Sequence, residues 1–447
     1  MAGVDSAVKG APAAGSGPRE PRLSVWPPLP LTIYGRRPNR KPPFPLGDSG
    51  CALFGLARHA LWHGVRNAGL QAGDEVLVPA YHHGSEVEAL VRAGLVCRFY
   101  EGTVGLEPDE AELGSLMSNR TRALLLIHYL GFPQDGLRWR RWCDASRVLL
   151  IEDAAQAWLA SVDGTAAGSS GDVSIFCLYK TFGLSEGAAL VGPPSSEPAG
   201  RGARPLGFVS LARRHAAWIR SRSGLLGSLG GRTARTASAP AEEFALGDPV
   251  SRPSRMTTFL LPRVAHADAA GRRRENYALL LERLSDAVAA PFARLPTTAS
   301  PFVFPLETTA KGLVLTRLAE AGIAAFDFWS VAHPTLPKDA FPRTEALRGR
   351  IVGLPVHQEL RLRDLERIAD TALAALDAVA AARLRPCCRC RSSGERSAPR
   401  ATITLPVSSS SRAMRTRRMT SPPRSSPASH VSSRSSTSIP LRPVSSR

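Results

Sequence analysis

The sequence predicts an α/β protein, with a large domain built on a mostly parallel sheet and a smaller α/β domain after it. Two observations carry this. Between residues 49 and 191, helical apolar spacing alternates with short apolar runs that end in polar residues, the rhythm of βαβ units. A chain of 447 residues also has room for about two to three domains, or for one large domain with a smaller companion.

The elements follow in order. Residues 1–48 are rich in Pro, Gly and Arg and read as a flexible arm. Residues 57–68 have helical spacing and are closed by Gly69, Gly73 and Asp74 before a strand at 75–78. A helix at 85–93 ends at Gly94 and leads into a strand at 96–100. The runs 122–128 (RALLLIH) and 148–152 (VLLIE) are buried-strand patterns, and 172–178 with 188–191 form a strand pair around a turn that holds Lys180. The large domain spans 49–260, with a loop-rich excursion at 192–253 that includes a basic helix near 211–220. A long helix is expected from Leu260 to about residue 290, with 272–275 exposed. The small domain, 261–385, closes on a helix at 363–382. From 386 to 447 the composition shifts to Ser, Arg and Pro, which cannot bury enough surface to order a chain, so a disordered tail is expected. Two origins fit this tail: a basic interaction segment, or an out-of-frame coding artefact, which the composition favours.

Composition narrows the class. No apolar run reaches the ~18 to 20 residues of a membrane span, and the N-terminal stretch lacks a signal-type apolar core. Seven cysteines, an odd number and mostly scattered, fit reduced thiols in a cytoplasmic protein. Cys387, Cys388 and Cys390 have no second Cys or His pair at zinc spacing, so no metal is expected. The net charge of +19 suggests nucleic acid until it is divided: residues 386–447 hold twelve Arg and one acidic residue, and the remaining +8 is spread along the body. That tail lacks stacking aromatics, so no nucleic-acid partner is expected.

Lysine is scarce, five against 52 Arg, so a Lys inside a motif stands out. Lys180 follows an apolar strand and precedes a Gly-containing turn, where a partly desolvated amine is a competent nucleophile. On its own it reads as a surface Lys; its neighbours change that. Asp153 ends a buried strand and is either a helix cap or an acid that holds a proton on a ring nitrogen. Gln156 lies one turn on. His83, in PAYHHGSEV, is placed to stack on a flat ring, and His82 and Tyr81 to touch substrate; the alternative for the pair of histidines is solvent. Gly50 and Gly55 precede a helix whose first residues, Ala57 and Arg58, offer N–H groups to a phosphate, with the Arg58 and His59 side chains as further donors. An amine, an acid, a flat partner and a phosphate cup are what pyridoxal 5'-phosphate (PLP) requires.

The blocks GDEVLVPAYHHGSEVEAL, ALLLIHYLGFPQ, VLLIEDAAQA, GDVSIFCLYKTFGLSEGAAL, RRRENY and GLPVHQEL occur in this order between about Ser49 and Ala382. Together they resemble the DegT/DnrJ/StrS aminotransferase family. The resemblance implies a fold-type I PLP-dependent transferase with a seven-stranded sheet, acting as a homodimer on small-molecule substrates. An amino donor such as glutamate and a keto acceptor, possibly a nucleotide-linked keto sugar, are then expected. By motif, Lys180 is the lysine that binds the cofactor aldehyde, Asp153 the partner of the pyridine nitrogen and Gln156 the neighbour of the ring hydroxyl. Ala57 and Arg58 fall at the phosphate cup and His83 at the stacking position. The serine that precedes the family lysine has two counterparts here, Ser174 and Cys177. The element that crosses the dimer keeps only Arg255 of its polar residues. A non-catalytic, PLP-binding or structural paralogue is the alternative.

Overall fold

The computed structural model describes residues 21–194, 206–222 and 244–384, all within one unit that closes at Pro386. The expectations for the Ser/Arg/Pro tail and the cysteine trio, and for parts of the 192–253 excursion, lie outside the described residues.

Period-two and continuous apolar runs become strands; runs with 3.6-residue spacing become helices. In chain order the elements begin with β1 (Leu23–Ser24), β2 (Cys51–Phe54), α1 (Ala57–Asn67), β3 (Glu75–Pro79), α2 (Ser85–Arg92) and β4 (Val96–Tyr100). Next come α3 (Glu110–Leu116), β5 (Thr121–Ile127), α4 (Gly136–Ser146), β6 (Leu149–Asp153), β7 (Ser161–Val162) and β8 (Thr165–Ala166). They continue with β9 (Val173–Cys177), α5 (Leu178–Thr181), β10 (Ala188–Val191), α6 (Leu206–Arg222), α7 (Arg255–Val264) and α8 (Ala269–Leu284). The last are β11 (Val303–Glu307), α9 (Lys311–Glu320), β12 (Ile323–Ala324), β13 (Phe326–Asp327), α10 (Pro342–Arg350), β14 (Ile351–Pro355) and α11 (Leu362–Leu384).

Seven strands form the main sheet in the order β2-β10-β9-β6-β5-β3-β4. From β9 to β4 all neighbours are parallel, and β10 runs antiparallel to both β9 and β2. The chain steps outward from β3 to β4 and then returns to the other side of β3 with β5, so the strand order reverses there. Parallel sheets open a ligand crevice at the carboxyl ends of the strands beside such a reversal. The central strands are buried along nearly their whole length, as expected for a parallel sheet covered on both faces. Helix α1 lies close on β9 and β10, because a Cβ on its Gly64 would come within 2.5 Å of Val173 and 2.8 Å of Leu190. That close approach aims the N-terminus of α1 at the crevice.

The second sheet, β11-β14-β13, is antiparallel. One apolar cluster joins α1 and the main sheet to α8, β11, β14 and α11, so the two sheets share a continuous core.

Three expectations are corrected. The stretch 1–48 is not wholly a loose arm: from residue 21 it is built into the body, with β1 parallel to β12 and with Leu23, Val25, Leu29 and Ile33 buried. Composition pointed to solvent, but apolar residues spaced among the prolines give this stretch a buried side. The long helix from Leu260 is two helices. Helix α7 starts earlier, capped by Ser254, whose side chain accepts from the Thr257 N–H, and it contains Pro262. Proline lacks the N–H of the next turn, and the helix ends two residues on. Within 272–275, Arg272 and Glu275 are exposed, but Arg273 is only 1% exposed.

Candidate active site

The carboxyl ends of β3, β5, β6 and β9 lie along one edge of the sheet, the edge that the N-terminus of α1 reaches on β9, and most of the predicted residues lie on or beside it. Asp153 is the last residue of β6. It is 8% exposed, and its Oδ1 accepts the Ala155 N–H at 2.8 Å. Residues 155–159 form turns, so Asp153 caps no helix. Burial, reinforced by the nearby Glu86 carboxylate, raises its carboxyl to about 6, with the Lys180 ammonium pulling the other way. Gln156 is buried, and its Oε1 accepts the Leu130 N–H at 2.8 Å. That bond orients the amide and leaves Nε2 as a donor.

Lys180 sits in α5, the single turn after β9. Its Nζ makes no hydrogen bond or ion pair among the described residues, and lies 5.8 Å from the centre of the Phe302 ring. The turn itself is held by Arg273, a residue the sequence reading had placed in solvent. Its guanidinium donates to the carbonyls of Thr181 (2.7 Å), Lys180 (3.2 Å) and Pro301 (2.9 Å), and to Gln358 Oε1 (2.9 Å). Gln358 Nε2 donates to Thr181 O at 3.1 Å. Two of the recognised blocks, RRRENY and GLPVHQEL, thus meet beneath the lysine. The all-polar run of Arg272 to Glu275 offered no periodic signal that its second residue turns inward.

His83 lies on the loop after β3, edge-on to Phe244 at 5.7 Å and to Trp329 at 6.4 Å. Its N–H donates to Glu86 Oε1 at 2.8 Å, and Nδ1 meets Ser85 Oγ at 3.1 Å. Burial lowers the imidazole to about 4, against the attraction of Glu86, so it is neutral at physiological pH. The neighbouring loop residues, expected to touch substrate, are packed into the body. Tyr81 and His82 are buried, and the His82 ring stacks on Phe99 with both nitrogens unpartnered. Arg348, a second buried arginine that the sequence did not flag, clamps this loop through the carbonyls of Ala80 and His82, both at 2.9 Å.

At the N-terminus of α1, Leu56 provides no side-chain cap, so the Ala57 N–H can serve an anion there. The Arg58 side chain donates to Ala245 O at 2.6 Å. His59 is turned away, to Leu246 O at 2.8 Å and Ser251 Oγ at 3.0 Å, so it is not a cup donor. Parity along β9 separates the two candidate phosphate contacts. Ile175 is in register with Asp153, so Cys177 shares the Asp153 face at the carboxyl end, whereas Ser174 points to the other face. Ser174 Oγ is fully buried against Gly171 near the start of the strand and has no partner. The Ser174 assignment is therefore wrong. Glu152, also on the far face, is structural: its carboxylate takes His128 Nε2 at 3.0 Å and the N–H groups of Ser170 and Gly171. Arg255 is exposed at the first turn of α7, outside this cluster. Among the described residues, no group of three or more His, Cys, Asp or Glu could hold a metal, and no helix is long and apolar enough to cross a membrane.

The fold is that of an α/β protein with a mostly parallel sheet, and the site places a lysine and a buried carboxylate at the carboxyl ends of neighbouring strands. Residues 46–196 match the model of the DegT/DnrJ/EryC1/StrS aminotransferase family, a similarity over about a third of the chain. A GDP-perosamine synthase of Vibrio cholerae is 32% identical over 147 residues, which cover 32% of this chain and 38% of that protein. A dTDP-3-amino-3,4,6-trideoxy-alpha-D-glucose transaminase of Streptomyces venezuelae is 26% identical over 335 residues, 70% of this chain and 79% of that protein. In fold, the chain is similar to DesI, solved in the presence of its TDP-sugar product, with a TM-score of 0.57 at 22% identity over 84% of this chain and 98% of that one.

Proposed function

We propose that the chain is a PLP-dependent aminotransferase that moves an amino group from an amino acid, glutamate in the simplest case, to the carbonyl of a nucleotide-linked keto sugar. The relatives above act on nucleotide sugars by name, which supports that acceptor class. One observation carries the chemistry: an unpaired lysine amine and a buried, proton-hungry carboxylate lie at the carboxyl ends of neighbouring strands, near a helix N-terminus that has no side-chain cap.

These residues fit PLP. A carboxyl raised by burial gains most from a cationic hydrogen-bond partner, and a pyridinium N–H is one. Bound here, the cofactor supplies an aldehyde for an amine and an electron sink for the carbon next to it. Asp153 would hold the proton on the ring nitrogen, Gln156 Nε2 would donate to the ring hydroxyl, and Ala57 and Arg58 would meet the phosphate through their N–H groups, near Cys177. His83, fixed edge-on by Phe244 and Trp329, would present its face to the ring. Lys180 would anchor the aldehyde. Lys180 Nζ, which has no partner among the described residues, would also serve as the positioned base that holds or moves a proton in the crevice. Arg273 and Gln358 keep the turn still while this happens.

A homodimer is part of the proposal. Arg255 begins a helix whose outer face also exposes Met256 and Phe259, beside the exposed Leu31 and Tyr34, an apolar patch of the kind that marks an interface.

The test is peptide mapping of PLP-loaded protein after borohydride reduction, which should place the cofactor on Lys180. Glutamate should then convert the bound cofactor to its amine form, and a nucleotide-linked keto sugar should reverse the change. Protein that carries PLP on Lys180 but responds to neither substrate would be the non-catalytic paralogue.

A further inference from the structure

The segment expected to be a loose arm brings an indole to the lysine. Trp26 follows β1 and packs at 5.7 Å from Phe302, 6.0 Å from Tyr179 and 6.1 Å from Phe326. The Phe302 ring it touches is the one 5.8 Å from Lys180 Nζ. The segment is pinned rather than draped. Arg214 donates to Pro27 O at 3.1 Å and lies 5.8 Å from the indole centre, and His215 Nδ1 meets Leu29 O at 2.9 Å. Trp26 is nevertheless only half-buried, and its Nε1–H makes no hydrogen bond to a described residue. Elsewhere in the chain Trp158 Nε1 donates to Phe44 O at 2.7 Å and Trp62 Nε1 to Arg92 O at 3.3 Å. A tryptophan that packs on a core normally finds a partner for its N–H. A fixed apolar ring with a spare donor beside a reactive amine has the makings of a recognition wall.

Building on the aminotransferase reading, we propose that Trp26 is the sugar-ring subsite of the acceptor, its ring lying against the C–H face of the pyranose and its N–H donating to a sugar oxygen. The position argues for the sugar rather than the rest of the nucleotide. The carbonyl that reacts at Lys180 is carried on the sugar, so the wall one ring away from Nζ meets that ring, whereas the base lies beyond a ribose and two phosphates. The amino donor is a poorer fit. An anionic amino acid needs cationic partners, and the arginine that lies on the indole, Arg214, is committed to Pro27 O.

Calorimetric titration of PLP-loaded protein decides the matter, with UDP-N-acetylglucosamine, dTDP-glucose and GDP-mannose as unreactive probes and UDP, dTDP and GDP as their sugar-free counterparts. Trp26→Ala should weaken the best nucleotide sugar by roughly tenfold or more and change its free diphosphate by less than twofold. Trp26→Phe keeps an aromatic face but loses the N–H and part of the ring area, so it should show a smaller but clear loss for the nucleotide sugar and serves where Trp26→Ala folds poorly. Reducible PLP on Lys180 is the folding control for both. A Trp26→Phe protein that binds the nucleotide sugar as tightly as the wild type overturns the proposal, and so does equal weakening of sugar and free diphosphate, which would put the indole on the nucleotide. Failure of wild-type, PLP-loaded protein to bind any nucleotide sugar would overturn the acceptor class itself, and the subsite with it.

Discussion

Replacing Asp153 by Asn should stabilise the cofactor-free protein at neutral pH while crippling it as an enzyme. The carboxyl is buried, its Oδ1 already accepts the Ala155 N–H, and burial together with Glu86 raises it from 3.8 to about 6. An acid whose pKa rises on folding holds its proton more tightly in the folded state, so ionising it works against folding. The penalty is absent below about pH 4, grows through the window up to about pH 6, and is fully present above it. A shift of about two units is worth about 3 kcal/mol at pH 7.5, and Asn, of the same shape and able to accept the same N–H, should recover much of that. The assay is urea unfolding of wild-type and Asp153→Asn proteins without PLP at pH 4, 6 and 7.5. The variant should be more stable by about 2 to 3 kcal/mol at pH 7.5, with the two curves meeting near pH 4. PLP should invert the order, since a neutral amide cannot hold a protonated ring nitrogen. An Asn variant no more stable than the wild type at pH 7.5, or an advantage that persists unchanged at pH 4, would refute the reasoning.

Three further outcomes are expected. Arg273→Ala strands the carbonyls of Lys180 and Pro301 and leaves Thr181 O with Gln358 Nε2 alone, each buried acceptor left unpaired costing about 1–3 kcal/mol; thermal melting should show severe destabilisation, with Arg273→Lys only a partial rescue. His82, held near 3 by burial, stays neutral on folding while the unfolded chain takes up a proton below about 6.5, so it contributes stability that is lost as pH falls through that window by up to about 1.4 kcal/mol per unit. His82→Phe, which also removes two unpartnered nitrogens, should be at least as stable at pH 7 and lose less than the wild type by pH 5. Arg255→Ala chains mixed with Lys180→Ala chains should recover activity if Arg255 acts across the proposed dimer; mixed dimers no better than either parent would place Arg255 outside the partner's site.

Most of the large domain was legible in the sequence, because strands such as RALLLIH and VLLIE and helices such as 57–68 announce themselves through apolar spacing, which is a local property. So were Lys180 and Asp153, since a strand end followed by a turn places its first polar residues at the crevice wherever the strand lies in the sheet. Parity in β9 was legible in principle too. Once Ile175 is set beside Asp153, Cys177 and not Ser174 lies on its face, but that register is a long-range pairing that the strand itself does not encode.

The remainder was decided by tertiary structure. Arg273 sits among charges that look solvated, and only the meeting of α8 with the lysine turn supplies the four acceptors that make its burial tolerable. Trp26 and the buried Leu23, Val25, Leu29 and Ile33 lie in a proline-rich stretch whose alternation is interrupted by prolines, and their inward side is received by β12 and α6. Local spacing tells a residue which element it joins; whether a polar group turns inward depends on partners that arrive from far along the chain, and those appear only when the chain has folded.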